Sequence, residues 1–185
     1  MMERATVYRR ALGPILWWAG TMAVLLAGLG AKLAPIGPVG FVIYWFAAGA
    51  VVVAGSLVLT RRQAIRDREP FWSAPMRRVA QALALPLLVA VALTVAVLPV
   101  GGAAPVAWVA IWALLYGCAL HAAGFFAPHG LQMLGSGFVL WGLCVLGCPW
   151  LQGLSPHLLM GVAFGGLHLA GALYLTLTGP PAKDA

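Results

Sequence analysis

The residues of this chain that could do chemistry in an apolar setting are four histidines and three cysteines. The histidines are His121, His129, His157 and His168, and all of them lie within residues 79–182, which contain no Lys, Arg, Asp or Glu. An ionisable side chain among membrane-spanning residues is costly and is by default a functional candidate. The competing interpretation is a neutral imidazole that donates one hydrogen bond to a carbonyl, to Ser136 or to Gln132.

His121 and His168 lie on two different predicted helices and could together ligate the iron of a haem b group. At a rise of 1.5 Å per residue, His121 lies about 6 Å and His168 about 15 Å from the cytoplasmic ends of these helices. A difference of about 9 Å is more than ordinary helix tilt absorbs. We therefore expect no cofactor, with a haem or another small ligand held by His121 and His168 as the alternative.

A second candidate site contains cysteines. Cys144 and Cys148 are one helical turn apart, and His157 begins the next predicted helix nearby. Thiolates combined with an imidazole suit Cu(I) or Zn²⁺, so these three residues are a candidate metal site. A buried cysteine usually packs as a small hydrophobic side chain, and this second interpretation is the one we adopt for Cys118.

Motifs of hydrolytic and phosphate-transferring enzymes are absent from the sequence. It contains no glycine-rich phosphate loop, nucleophile elbow, zinc-protease motif or pair of neighbouring carboxylates suited to acid–base catalysis. All four acidic residues fall in segments predicted to be cytoplasmic. These features favour a protein that is not an enzyme, and no catalytic residues are predicted.

The elements that carry the histidines and cysteines are predicted to be membrane-spanning helices. The chain is 63% hydrophobic and 8% charged, whereas about 25% of residues are charged in a typical soluble domain. One crossing needs about 20 apolar residues, and the sequence offers six such windows: residues 11–31, 38–60, 79–100, 105–125, 131–149 and 157–178. The predicted fold class is therefore an all-α polytopic membrane protein with six transmembrane helices.

Positive charge predicts the orientation of these helices. Of the eleven Lys and Arg residues, only Lys32 falls on one side of the membrane, and the others fall before the first window, between the second and third, or after the sixth. The positive-inside rule then places both termini in the cytoplasm. Contact with anionic headgroups accounts for the net charge of +7, so no nucleic-acid partner is implied.

The chain divides into three predicted regions: a two-span N-terminal hairpin (1–60), a cytoplasmic Arg-rich hinge (61–78) and a four-helix membrane core (79–185). The first half of the hinge continues the second span as a short helix. That helix should end by Glu69, because Pro70 disfavours helical geometry in the residue before it.

The second half of the hinge is predicted to lie at the membrane surface. Ser73 is a candidate N-cap for the third span, with Pro75 in its first turn. Trp72, Arg77 and Arg78 are candidate interface anchors, since aromatic rings and basic side chains are favoured beside lipid headgroups. A docking site for a cytosolic protein is the alternative.

Small residues share a helix face with a histidine on the fourth and on the sixth predicted helix. The two sets are Gly117, His121 and Gly124, and Gly161, Gly165 and His168. Small residues let membrane helices approach closely, so we expect spans 4 and 6 to meet through these glycines. His121 should then be shielded in the bundle interior, whereas His129 should be exposed in the cytoplasmic turn and His157 should lie at the outer surface.

Two motifs, FWSxP at residues 71–75 and HAAGFFxP at 121–128, lie in segments that resemble one family of small bacterial multi-span membrane proteins. The segments are REPFWSAPMRRVAQAL (68–83), LLYGCALHAAGFFAPHGLQMLG (114–135) and LLMGVAFGGLHLAGALYLTLT (158–178). The family is uncharacterised in activity, and its members are often encoded beside a winged-helix or PadR-like regulator, which implies a regulatory or stress-related role. The resemblance carries over no catalytic residues, and His129 stands where such proteins more often have Arg.

Together these features predict an integral inner-membrane protein that acts as a non-enzymatic subunit or as an accessory or regulatory protein. Its expected partners are the lipid bilayer, through anionic headgroups, and a membrane or cytosolic protein. A small haem- or ligand-binding module that uses His121 and His168 is one alternative, and a transporter of a neutral solute is another.

Reporter fusions test the predicted topology. The fusions are placed after Gly37, Arg68, Gly102, Pro128, Leu154 and Ala185. They should report outside, inside, outside, inside, outside and inside in that order, because positively charged segments remain in the cytoplasm. Alkaline phosphatase marks the outer positions and a fluorescent protein marks the inner ones. A C-terminal reporter that is active outside would contradict the topology.

Overall fold

The computed structural model describes residues 2–33, 37–100 and 103–178. Within them the elements are α1 (Met2–Gly30), α2 (Pro38–Arg66), α3 (Ala74–Val97), α4 (Pro105–Ala123), α5 (His129–Gly147), α6 (Pro149–Gln152), α7 (Pro156–Met160) and α8 (His168–Leu177). A π-helical segment, Gly161–Leu167, joins α7 to α8, and the three form one crossing, span 6 (Pro156–Leu177).

The described residues contain six helices that are long and apolar enough to cross a membrane, and none of these residues is in a strand. The predicted fold class is confirmed: the chain is an all-α integral membrane protein with six transmembrane helices. The described part of the predicted core ends at residue 178, and residues 179–185 lie outside it.

α2 continues past the predicted span into the hinge and ends at Arg66, before Glu69 as predicted. Arg68 has a positive φ of 54°. The amides of Arg68 and Glu69 donate to the carbonyl oxygens of Ile65 and Ala64 at 3.3 and 2.9 Å. This pair of bonds is a Schellman motif, which satisfies carbonyl groups that the end of the helix would otherwise leave open.

The third span begins at the predicted cap. Ser73 Oγ accepts a hydrogen bond from the Met76 amide at 3.4 Å, and a proline follows the cap within the first turn. The N-cap prediction is confirmed. From this cap, α3 runs unbroken through Pro86 to Val97.

α4 and α5 form the most extensive helix pair of the bundle. A Cβ atom on Gly117 would lie 2.7 Å from the Gly135 carbonyl oxygen, and one on Gly135 would collide with the backbone nitrogen of His121. Gly124 lies equally close to Gln132. Because these glycines have no side chain, the two backbones come into contact. The expectation that Gly117 and Gly124 face span 6 is wrong, because these glycines face α5.

Two of the three glycines of the π segment pack on α1. A Cβ atom on Gly161 would lie 2.7 Å from Cβ of Ala27, and one on Gly165 would lie 2.5 Å from Cγ2 of Val24. α1 lies along span 6 and takes the place expected for the fourth span. Spans 4 and 6 therefore do not meet through their glycines.

Two buried clusters fill the bundle. The first consists of Leu16, Ala113, Leu120, Ala123, Leu131, Leu134, Phe138, Ala163, Ala172 and Leu175. The second consists of Phe41, Val42, Trp108, Val109, Ala110, Val145, Leu151, Leu159 and Met160. Leu16 comes from α1 and Phe41 from α2, so both helices of the N-terminal hairpin contribute to the interior. The division into hairpin, hinge and core stays a prediction.

Indole N–H groups connect neighbouring helices inside the membrane. Trp18 Nε1 of α1 donates to the carbonyl oxygen of Val52 in α2 at 3.0 Å. Trp112 Nε1 of α4 donates to Thr94 Oγ1 of α3 at 3.2 Å, and the Thr94 hydroxyl donates to the carbonyl of Ala90. Because the bilayer core offers no water, donors there need acceptors within the protein. These bonds attach α2 and α3 to the rest of the bundle.

Adjacent glycines of the π segment provide a matched test of this packing. Gly165→Ala should lower the melting temperature of the purified protein in detergent, since the added methyl group would overlap Val24 and overpacking costs about 1–3 kcal/mol. Gly166→Ala is the control, because a Cβ atom there meets nothing within 4 Å. It should leave the melting temperature unchanged or raise it, as alanine favours a helix over glycine. Equal melting temperatures for the two variants would contradict the α1–span 6 contact.

Candidate functional site

His168 is a buried histidine in the middle of span 6, with 4% of its surface exposed. It begins α8 directly after the π segment. Its Nδ1 lies 2.6 Å from the carbonyl oxygen of Phe164. A carbonyl oxygen only accepts, so Nδ1 carries a proton and donates it to this bond. Single π-helical turns are frequent at functional sites, and here such a turn supplies the acceptor for a buried histidine.

The second ring nitrogen of His168 is also engaged. In a neutral imidazole protonated on Nδ1, Nε2 is an acceptor. The Tyr116 hydroxyl of α4 lies 2.9 Å from Nε2 and donates to it. The relay from Tyr116 through His168 to the Phe164 carbonyl therefore connects α4 to span 6, and through it the two helices meet.

Phenylalanine rings surround this relay. The Phe138 ring of α5 lies edge-on to His168 at a centroid distance of 5.2 Å and to Tyr116 at 4.9 Å. The Phe164 ring lies 5.1 Å from that of Phe138 and 6.4 Å from that of His168. The apolar shell lowers the local dielectric, which strengthens the two hydrogen bonds that the histidine makes.

His121 lies at the rim of the α4–α5 contact. Its Nδ1 is 3.2 Å from Ser136 Oγ, which is one of the partners considered for a neutral histidine. Its side chain is exposed, however, so the expectation that it is shielded in the bundle is wrong. The physical reason is that Gly135 packs against the backbone of His121, which leaves the side chain at the edge of the interface.

His129 lies in the turn between α4 and α5, as the first residue of α5. Its side chain is exposed, as predicted. Nδ1 lies 2.9 Å from Oε1 of Gln132, and since an amide oxygen accepts, Nδ1 donates to it. His129 thus helps to hold the first turn of α5.

The location of His157 on the outer side of the membrane stays a prediction. In the structure His157 lies in the first turn of span 6 and is covered by aromatic side chains of α2. Its ring is 8% exposed and lies edge-on to Phe41 and Tyr44 at centroid distances of 5.1 and 5.3 Å. Trp45 Nε1 donates to its Nδ1 at 3.2 Å. Gly30, at the end of α1, lies so close to this ring that a Cβ atom would collide with it. The cluster joins the ends of α1, α2 and span 6.

The candidate metal ligands Cys144, Cys148 and His157 are not brought together. Cys144 is exposed, and Cys148 packs half-buried beside the second buried cluster. Nδ1 of His157 is already engaged by Trp45. Among residues 2–33, 37–100 and 103–178, no three His, Cys, Asp or Glu side chains form a group suited to a metal ion.

The candidate haem ligands His121 and His168 contact different residues. His121 is paired with Ser136 at the exposed rim, whereas both nitrogens of His168 are engaged in the interior. Neither nitrogen of His168 is left open for an iron atom. His121 and His168 therefore lie in two separate environments.

The candidate interface anchors lie where the hinge meets α3. Trp72 is 54% exposed, and Arg77 and Arg78 are exposed in the first turns of α3. Arg66, at the other end of the hinge, forms an exposed ion pair with Asp67 at 3.3 Å. Contact of these anchors with headgroups stays a prediction.

Tyr116 is the site residue that the sequence pattern does not single out. Its neighbours in the sequence, WALLYGCAL, are almost all apolar and match the rest of the span. One signal points to it: a buried tyrosine hydroxyl usually finds a hydrogen-bond partner, and His168 also lies in the interior of its helix. The aromatic cover of His157 carries no comparable signal, because it depends on how α2 packs.

No protein-family model matches the chain, and no curated protein or solved structure matches it either. The likeness carried by the FWSxP and HAAGFFxP motifs therefore stays an expectation.

Removing the Tyr116 hydroxyl tests the relay. Tyr116→Phe should lower the free energy of unfolding by about 1–3 kcal/mol, because it leaves a buried acceptor on His168 without a donor. Tyr174→Phe is the matched control, since Tyr174 lies in the same membrane region with an exposed side chain. Unfolding in detergent, followed by tryptophan fluorescence, measures both. In a His168→Leu background, Tyr116→Phe should lower the free energy of unfolding by much less. An equal loss in both backgrounds would contradict the hydrogen bond between Tyr116 and His168.

Proposed function

We propose that this protein is a non-enzymatic subunit or accessory regulator in a bacterial cytoplasmic membrane. The observation that carries this proposal is the pairing of His168, whose two nitrogens are engaged by Tyr116 and Phe164. The buried ionisable group that would be the first candidate for chemistry thus connects helices. It offers no free nitrogen to a substrate. Such a protein acts through the residues on the outside of its helix bundle.

α2 offers a surface suited to a partner helix. Most of its side chains are exposed or half-buried. The exposed residues Ala47, Ala50 and Ala54 recur at helical spacing, and small residues at such spacing allow another membrane helix to approach closely. The partner that this surface fits is a second membrane protein with an apolar helix.

The distribution of charge supports the cytoplasmic placement of both termini. An even number of crossings puts the two ends of the chain on the same side, and that side carries all Lys and Arg residues except Lys32. Positive residues are retained in the cytoplasm of bacteria. A gene neighbourhood with a winged-helix or PadR-like regulator, as the motif resemblance implies, fits a regulatory role.

A ligand-binding module is the second candidate function, and the exposure of His121 favours it. His121 lies in an open groove with one ring nitrogen bonded to Ser136. A ligand there would be held by His121 without His168, which is engaged elsewhere. Transport of a neutral solute has no comparable support in the geometry.

Site-specific photo-crosslinking in the native host tests the accessory role. A benzoylphenylalanine at Ala50 should form one discrete adduct with another membrane protein, because this residue faces outward on α2. The same probe at Ala113, which is fully buried in α4, is the control and should form none. Absence of protein adducts from Ala47, Ala50 and Ala54 alike, with normal amounts of the protein in the membrane, would contradict the proposal.

A further inference from the structure

An open groove of about 510 Å³ runs between α4 and α5 on the outside of the bundle. Cys118, His121 and Phe125 line it from the side of α4, and Ser136, Val139 and Leu140 line it from α5. Both helices cross the membrane, so the groove opens toward the acyl chains of the lipids. A groove in this position is suited to a ligand that is soluble in the membrane.

The lining of the groove is mostly apolar, and its polar side chains, His121 and Ser136, lie nearer the membrane surface than Val139 and Leu140 do. His121 lies within the last turn of α4, and Phe125 lies in the short 3-10 turn that follows. Leu140 lies about 16 Å from the start of α5, at 1.5 Å per residue. Polar groups near the surface and hydrocarbon below it match the order of headgroup and acyl chain in one leaflet.

One ring nitrogen of His121 remains open for a ligand. Nδ1 is bonded to Ser136 Oγ, and Nε2 has no partner within residues 2–33, 37–100 and 103–178. When the Ser136 hydroxyl donates to Nδ1, the ring proton stays on Nε2, which then donates. A phosphate oxygen of a headgroup is a strong acceptor for such a donor.

The membrane surface at this end of the bundle is basic. α3 contacts the turn Gly124–Phe126, and the exposed Arg77 and Arg78 begin α3 at the same surface. Phe125 of that turn is 70% exposed, and aromatic rings are favoured at headgroup depth. Basic side chains near a membrane attract anionic lipids, so the charge around the shallow end selects against zwitterionic ones.

We propose that the α4–α5 groove binds one anionic glycerophospholipid. Its phosphate accepts from Nε2 of His121, and one acyl chain lies along Val139 and Leu140. The proposal names the ligand class for the ligand-binding candidate. It does not depend on the accessory role of α2, so each can fail without the other.

Native mass spectrometry of the purified, delipidated protein tests the groove. The protein is titrated with phosphatidylglycerol or with phosphatidylcholine of the same acyl chains. One phosphatidylglycerol should bind in preference to phosphatidylcholine, and His121→Leu should lower its affinity about tenfold, because a charge-assisted hydrogen bond is lost. Ala122→Trp places a large ring at the groove and should remove binding of both lipids.

His129→Leu is the matched control, since His129 is an exposed histidine at the same end of α5 that does not line the groove. It should leave the affinity for phosphatidylglycerol unchanged. Equal affinity in the wild type and His121→Leu, or an equal loss in His129→Leu, would overturn the proposal. It would also be overturned if the wild type formed a lipid-free dimer that Ala122→Trp abolished, because the occupant would then be a second copy of the chain.

Discussion

The absence of water in the bilayer core is the constraint on which this structure depends. A polar group there is stabilised by a partner within the protein, and several groups of the bundle find one through long-range bonds between helices. The buried indole N–H groups of Trp108 and Trp141 have no hydrogen-bond partner among the described residues. Trp18 attaches α1 to α2, Trp112 attaches α4 to α3, and Tyr116 attaches α4 to span 6 through His168. Glycines bring the backbones of α4 and α5 into contact, so the order of the helices follows from where donors and small residues coincide.

The same constraint separates the histidines by location. His168 is enclosed, with both nitrogens engaged, and its role is to connect helices. His157 is held at the start of span 6 by an indole N–H and by aromatic rings. His121 keeps an open nitrogen in a groove at the edge of the bundle. Residue type alone therefore does not decide which histidine is available to a ligand, whereas enclosure and pairing do.

The sequence predicts those features that depend on local composition. Six spans, the helix end before Glu69 and the Ser73 cap follow from apolar length, from a proline and from a hydroxyl at the right position. The sequence does not predict which helix packs on each glycine, because the small-residue pattern around Gly117 and Gly165 is the same whichever helix is the neighbour. The Tyr116–His168 relay is hidden for a further reason: the π segment changes the helical register of span 6, whereas periodicity analysis assumes a constant one.

His168 is a neutral structural connector, protonated on Nδ1 and accepting on Nε2. Solid-state ¹⁵N NMR of the protein in lipid vesicles, with ¹⁵N-labelled histidine and His168→Leu for assignment, measures this directly. We expect one protonated ring nitrogen that correlates with a backbone carbonyl and one unprotonated nitrogen close to a tyrosine hydroxyl. A proton on Nε2 with Nδ1 unprotonated, protons on both nitrogens, or shifts typical of a metal-bound imidazole would contradict this role of His168.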